Sequence, residues 1–410
     1  MRDEERIKDI FDLGIIGGGA AGLFAACFAK KRGFSFCVME KTDSPGKKLL
    51  LTGGGRCNIL SLKSPVELKN CYHGKGNFLY PALSNFPPSE AYSFIENELG
   101  LKLAEEENNR IFPASSKARD VVDALTGYIG RENIRTLFEA DKISRDEEGI
   151  WEIRSKAGEL LRAKNLILAA GGSSYPQTGS AGDSYRIAEK TGHSIIPVRA
   201  ALAAIKISDR DKITIAAGLT VKGCRVRITE GDKTIRETEG DILFTHEGLS
   251  GPAVMELARD LKKGSVIRID MAQDLDDKIL TGLIGDNPRK KLVNLIASFV
   301  PAQVAEYAVN ISGDDPDVTC AKTTKEIRRS VLNAVKDMTV RVLSDPDIRT
   351  AYVTAGGVDT GQVDRKTLGS KINKGLYLAG EVLDCDGISG GYNLTMCIAE
   401  AKLITDSLLF

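Results

Sequence analysis

The segment Gly17-Gly18-Gly19-Ala20-Ala21-Gly22 has glycine at positions whose spacing matters chemically. When a pyrophosphate docks on such a turn, Gly17 permits the tight bend, Gly19 lets the backbone approach the ligand, and Gly22 lets the helix pack close to the strand. With 41 glycines among 410 residues, this spacing alone is weak, and its context has to decide. A strand precedes it, a helix follows it, and Glu40 ends the next strand, placed to accept hydrogen bonds from a ribose diol. The pattern reads as a dinucleotide site. A carboxylate rather than an arginine at position 40 argues against a 2′-phosphate there.

Whether that dinucleotide is FAD or NAD is decided near the other end of the chain. Leu376-Tyr-Leu-Ala-Gly380-Glu381 is an apolar strand ending in glycine and a carboxylate, and Gly390-Gly391-Tyr392-Asn393 opens a final helix. A flavin needs an acceptor near its ribitol, for which Glu381 is the candidate, and a positive helix end at its pyrimidine edge, for which the Asn393 end is the candidate; the alternative is a buried strand end and an ordinary glycine turn. No second Gly-x-Gly-x-x-Gly and no Cys-x4-Cys pair occurs. A separate nicotinamide domain and a redox disulfide are therefore not expected; either NAD(P)H is a transient reductant that docks directly over the flavin, or the oxidant and reductant are something else.

Hydride transfer needs protein acid–base help only where the substrate gains or loses a proton. Arg56 and Asn58, beyond Gly53-Gly54-Gly55, are candidates to hydrogen-bond the isoalloxazine or a substrate carbonyl, or else they fix their own loop. His246, just before Ser250-Gly-Pro252, is the best general-acid candidate among three histidines; His73 and His193 have no supporting context. Tyr392 is a candidate proton donor or stacking residue, and Arg110 either reaches the flavin mouth or pairs with Glu105–Glu107. Cys57 beside Arg56 has the neighbour that favours a thiolate, although burial is the commoner fate of a lone cysteine.

These groups need a frame to hold them. Residues 13–16 read as a buried strand, 20–32 as a helix with basic residues in its last turn, and 36–40 as a second strand, together a right-handed βαβ unit. From Lys41 to Asn109 the signals are loops with one helix near 89–99. A helix capped by Ser115 or Ser116 follows, carrying Val121, Val122, Leu125 and Ile129 on one face. Strands are expected at 134–143, 150–154 and 159–169, the last an apolar run stopped by Gly171-Gly172. Residues 197–270 alternate like hairpins, 275–343 are helical in pattern, and strand character returns at 351–354 and 376–378 before a helix over roughly 394–408. The simplest organisation is a nucleotide-binding domain over 1–195 and 345–410, interrupted by a β domain over 196–274 and a helical subdomain over 275–344.

Composition bounds the rest. Apolar residues are 42% and charged residues 27%, ordinary for a folded globular protein and unlike a disordered chain. Lys plus Arg (56) balance Asp plus Glu (56), so no net field draws a nucleic acid or an anionic membrane, and neither is expected as a partner. The eight cysteines show no metal-ligand spacing, so no metal is expected, and a reduced, cytoplasmic chain is the default. The uncharged run from Leu13 to Ala29 is broken by glycines and reads as strand–turn–helix, not as a targeting segment.

At this point several segments acquire a common source. Asp12–Leu23, Gly46-Lys-Lys-Leu49 with Gly53-Gly-Gly-Arg-Cys-Asn58, Arg110-Ile-Phe-Pro113, Ala170–Gly179, Leu243–Pro252, Thr354–Val358 and Gly380–Asn393 resemble the BaiN-like bacterial flavoproteins, in order and over nearly the whole chain. The resemblance implies an α/β fold: a glutathione-reductase-like FAD-binding Rossmann domain with an inserted β-barrel-like domain and a helical subdomain. It implies non-covalent FAD held by Gly17, Gly19, Ala20, Ala21, Gly22, Glu40, Lys41, Lys48, Gly54, Arg56, Asn58, Ala170, Gly171, Gly380, Glu381, Gly391, Tyr392 and Asn393. One departure is that Asn58 is followed by Ile59-Leu60-Ser61, where members of the family carry a small residue and Thr-Asn.

The resulting expectation is an FAD-dependent oxidoreductase with His246, Arg56 and Tyr392 as catalytic candidates and a small molecule as substrate. Members of that family imply an NAD(P)H-driven reductase of a conjugated C=C in an apolar ring such as an oxo bile acid. A flavin amine oxidase of the aminoacetone type, passing electrons to O2, is the alternative. An FAD-binding sensor or RNA-modifying factor is the third reading, the RNA form being weakened by the zero net charge.

Overall fold

In a computed structural model, which describes residues 10–209, 216–313 and 315–408, the chain forms two compact units, Met1–Arg199 with Tyr352–Phe410 and Ala200–Ala351. The inserted stretch thus differs by a few residues from the expected 196–344. Its expected β and helical parts share one apolar core, in which Val226, Ile267 and Phe244 of strands join Leu295, Ala308 and Val331 of helices. Among the described residues no helix is long and apolar enough to cross a membrane.

The first unit is built on a seven-stranded sheet. Ile10–Ile16 lies at its centre, parallel to Phe36–Met39 on one side and to Leu160–Leu168 on the other. The far edge of Leu160–Leu168 is shared: its first half pairs antiparallel with Trp151–Ser155, and its last three residues pair parallel with Leu376–Leu378. That second pairing returns the distant C-terminal segment to the centre of the sheet. The strands there are apolar on both faces because helices cover both. Beyond the sheet's edges the expected strand at 134–143 is two short ones. Ile134–Arg135 extends the parallel side and Ala140–Arg145 pairs antiparallel with Trp151–Ser155.

Helices Ala20–Lys31 and Tyr392–Ser407 pack on each other and are buried over nearly their whole surfaces. Lys30 and Lys31 in the last turn of the first complement the helix dipole. The loop expected between Lys41 and Asn109 holds more order than its sequence signals: a small antiparallel sheet of Leu60–Ser61, Arg110–Pro113 and Leu103–Glu106, and the helix Gly76–Asn85 as well as the expected Pro88–Asn97. Pro81 sits inside Gly76–Asn85 and cannot donate to the Asn77 carbonyl, which accepts instead from Arg365 Nη1 at 3.5 Å. The helix expected to be capped by Ser115 or Ser116 begins at Ala118 after Lys117, without a side-chain cap. Its buried face is as read, Val121, Val122, Leu125 and Ile129.

In the inserted unit six antiparallel strands run in the order Ile205–Lys206, Gly248–Ser250, Lys233–Phe244, Thr220–Glu230, Val266–Asp270, Met338–Arg341. The first and last are bridged at Ile207 and Val342, reinforced by Leu343 N–H donating to Lys206 O at 2.8 Å. The sheet therefore closes on itself as a small barrel.

Phe28 anchors the first unit's helical layer, with ring centroids 5.3 Å from Phe86 and 4.8 Å from Phe94. Phe28→Ala is expected to cost about 3–5 kcal/mol, read as a lower denaturation midpoint of the apoprotein.

Candidate functional site

The glycine turn at the C-terminal end of the central strand divides its tasks as the spacing predicts. Gly17 has φ +107°, and a Cβ there would lie 2.4 Å from the Ala169 carbonyl oxygen, so only backbone fits between the two strand ends. A Cβ on Gly22 would lie 1.9 Å from the Gly17 carbonyl oxygen, whereas one on Gly19 would meet nothing within 4 Å. Gly22 is thus fixed by packing and Gly19 faces open space.

The helix that starts after Gly19 has no side-chain cap and no acidic residue in its first turn. The N–H groups of Ala20, Ala21 and Gly22 and the positive helix end are left for an anion. Glu40 stands beside them, its Oε2 accepting from Gly18 N–H at 2.9 Å and its Oε1 from Thr42 N–H at 2.8 Å. Two backbone donors hold the carboxylate in place and leave it lone pairs for a diol. Lys41 is ion-paired with Asp183.

Glu381 is the hub of the next stretch. Its Oε2 pairs with Lys48 Nζ at 2.5 Å, and its Oε1 accepts from Ser174 Oγ at 2.9 Å and from Thr354 N–H. Lys48 Nζ also donates to Ser174 Oγ at 2.5 Å, and Thr354 Oγ1 accepts from Ser173 and Ser174 N–H at 2.9 and 3.1 Å. Four chain segments meet at one carboxylate. Gly172 passes over it, where a Cβ would strike Thr354 Oγ1 at 2.4 Å, whereas a Cβ on Gly171 would meet Ser180 Oγ at 3.1 Å. Ser174 and Thr354 carry no sequence signal of their own, since Glu381 lies 207 and 27 residues away from them.

At the start of the last helix Gly391 is the N-cap, with no side-chain cap hydrogen bond and no acidic residue in the first turn. Asn58, with its amide turned to suit its neighbours, accepts from Gly391 N–H at 3.1 Å and donates to the Leu60 and Ile111 carbonyls at 3.2 and 3.3 Å. Asn393 closes the preceding turn, accepting from Gly387 N–H at 2.8 Å and donating to Gly387 O at 3.1 Å. Tyr392 is buried, its carbonyl accepting from Tyr72 OH at 3.0 Å and its ring lying under Lys63 Nζ at 5.2 Å. Burial pushes its phenol up, against the opposing pull of Lys63.

Arg56 is ion-paired with Glu106 and stacks on the Phe112 ring at 4.3 Å, the loop-fixing arrangement. Arg110 Nε donates to Glu107 O at 3.0 Å. Cys57 is no thiolate, because burial pushes its thiol up to about 11. Gly54 is exposed with open space around it.

His246 belongs to the inserted unit, exposed in the turn between the strands Lys233–Phe244 and Gly248–Ser250. The helix that follows starts at Pro252, with Gly251 as its N-cap and no side-chain cap hydrogen bond. His193 is structural: Nε2 lies 2.8 Å from Ser370 Oγ, and burial lowers its pKa. His73, for which the sequence offers no context, has Nε2 3.7 Å from Asp386 Oδ2, next to the Lys75–Asp384 pair at 2.6 Å.

The arrangement fits a dinucleotide: an open glycine turn at a helix N-terminus, a fixed carboxylate just past the neighbouring strand, and a second uncapped helix start.

Comparison with known proteins agrees with that reading. The family model described as HI0933-like protein Rossmann domain matches residues 11–406. The chain is 30% identical to ribosomal RNA dihydrouridine synthase of Escherichia coli (strain K12) over 404 residues, 97% of this chain and 98% of that protein. It is 29% identical to 3-dehydro-bile acid delta(4,6)-reductase of Clostridium scindens over 406 residues, 95% of this chain and 97% of that protein. Among solved structures, 3-ketosteroid delta1-dehydrogenase from Sterolibacterium denitrificans, bound to 1,4-androstadiene-3,17-dione, shares the fold, with a TM-score of 0.52 at 13% identity over 97% of this chain and 99% of that one. The ribosomal RNA named for one relative removes the ground for excluding nucleic acid, because balanced total charge does not describe a local surface.

Gly19→Ala is expected to leave apoprotein stability within about 0.5 kcal/mol while weakening FAD binding at least about tenfold by flavin fluorescence quenching. Gly22→Ala is expected to destabilise the apoprotein by about 2 kcal/mol or more in thermal unfolding.

Proposed function

The chain belongs to the HI0933-like Rossmann-domain family, and on that premise we propose that this FAD-dependent oxidoreductase saturates a ring C=C conjugated to a carbonyl, with the uracil base of ribosomal RNA as its substrate. The supporting observation is what two relatives' names have in common. A dihydrouridine synthase and a delta(4,6)-reductase each describe the addition of two hydrogens across a ring double bond. A second relative named ribosomal RNA dihydrouridine synthase, from Haemophilus influenzae, is 29% identical over 94% of the chain and favours the RNA base over the steroid.

FAD, once reduced by two electrons, would supply a hydride to an electron-poor carbon and return to its oxidised form. The protein's part is to hold and to polarise. Ala20, Ala21 and Gly22 would hold a pyrophosphate through their backbone N–H groups, Glu40 would accept from a ribose diol, and Glu381, fixed by Lys48, would supply the acceptor for ribitol hydroxyls. The uncapped start of Tyr392–Ser407 favours negative charge at the far end of the cofactor. The substrate carbon next to its carbonyl must gain a proton, for which Tyr392 with Lys63 is the proposed donor. NAD(P)H is the proposed electron source.

The test is anaerobic. Protein reduced with NADPH or by light is mixed with unmodified ribosomal RNA or with a 3-oxo-4,6-diene steroid, and flavin reoxidation is followed together with the mass of the digested nucleosides or of the steroid. Reoxidation with RNA and a uridine heavier by two hydrogens is expected. Reoxidation by the steroid alone reassigns the substrate, and none with either substrate refutes the reductase reading.

A further inference from the structure

The helix Tyr392–Ser407 is buried on nearly every side, yet at Glu400 it carries a carboxyl with no solvent exposure. Its Oε2 accepts from Gly380 N–H at 2.6 Å, while Oε1 has no hydrogen-bond partner among the described residues. Gly380 lies just past the strand Leu376–Leu378 with φ +77°, and a Cβ there would lie 3.1 Å from Ala21 Cβ and 3.4 Å from Cys397 Sγ. Its backbone is therefore wedged between the two long helices.

The Gly380 N–H would be a buried donor without an acceptor if residue 400 were apolar. A charged carboxylate with a single donor at full burial is costly, so the group keeps its proton at neutral pH, and burial pushes it up to about 8. The titratable groups that sense it are Cys397 on its own helix, Cys385 after the strand Leu376–Leu378, and Tyr72 ahead of Gly76–Asn85, all held protonated by burial.

We propose that Glu400 is a positioning residue of the redox site, whose buried carboxyl fixes Gly380 and so holds Glu381 against Lys48, Ser174 and Thr354. It acts from inside the protein, through the backbone of the residue preceding Glu381. The inference rests on the flavin reading of the site.

The experiment measures FAD affinity by fluorescence quenching between about pH 7 and about pH 9.5 for the unaltered protein, Glu400→Gln and Glu400→Leu, with thermal unfolding of each apoprotein. Ionisation leaves the acceptor but puts a charge with one donor inside the packing of the two helices around Gly380, so the unaltered protein should lose affinity by up to about tenfold per pH unit as that packing loosens to solvate it. E400Q, which keeps an acceptor for Gly380 and cannot ionise, should bind as the unaltered protein does at neutral pH and show no alkaline loss. E400L should bind at least about tenfold more weakly at every pH. A flat profile in the unaltered protein, an alkaline loss retained in E400Q, or full affinity in E400L overturns the proposal while leaving the flavin reading intact. If E400L does not fold, the comparison with E400Q still decides. Failure of the unaltered protein to quench at any pH would bring down the flavin reading, and the proposal with it.

Discussion

Between the ends of two neighbouring parallel strands there is room for backbone and nothing more. Gly17 passes within touching distance of the Ala169 carbonyl, and Gly22 within touching distance of Gly17 itself. This crowding brings the first turn of Ala20–Lys31 directly over the strand ends, so its unsatisfied N–H groups point outward where Gly19 leaves space. The open space at Gly19 and the fixed carboxylate of Glu40 beside it follow from that approach. Were the helix held farther from the sheet, the remaining groups would have nothing to register against.

The second constraint is chemical rather than steric. Glu381 collects donors from the segments around Lys48, Ser174 and Thr354, which lie far apart in sequence. A carboxylate satisfied from three directions is rigid, and beside Lys48 it makes a fixed ion pair. Asn58 does the corresponding work at the other helix start, tying the glycine-rich loop to Gly391. Both are positional tasks that no single stretch of sequence can display.

That difference sets what can be read from the chain. The βαβ unit is legible because its signals are local: a glycine turn, an apolar strand on each side and Glu40 at the end of the second. The strand Leu376–Leu378 is legible for the same reason. The helix Gly76–Asn85 is not, because Pro81 lies inside it and the accommodating donor, Arg365, is remote. Ser174, Thr354 and Glu400 look ordinary in sequence, and they matter only through contacts with residues that the sheet brings together. His246 is the opposite case, a rare residue type in a suggestive loop that the structure places at an exposed turn of the inserted unit.

The closure of the inserted sheet has a consequence for how such a chain can be assembled. Ile207 and Val342 are bridged, so the strand that begins the insert and the strand that ends it lie side by side. To the host polypeptide, the intervening stretch is entropically like a short connection, since folding the insert already brings its two ends together. A unit with neighbouring termini can be lengthened, shortened or exchanged without stretching the strands that carry the glycine turn.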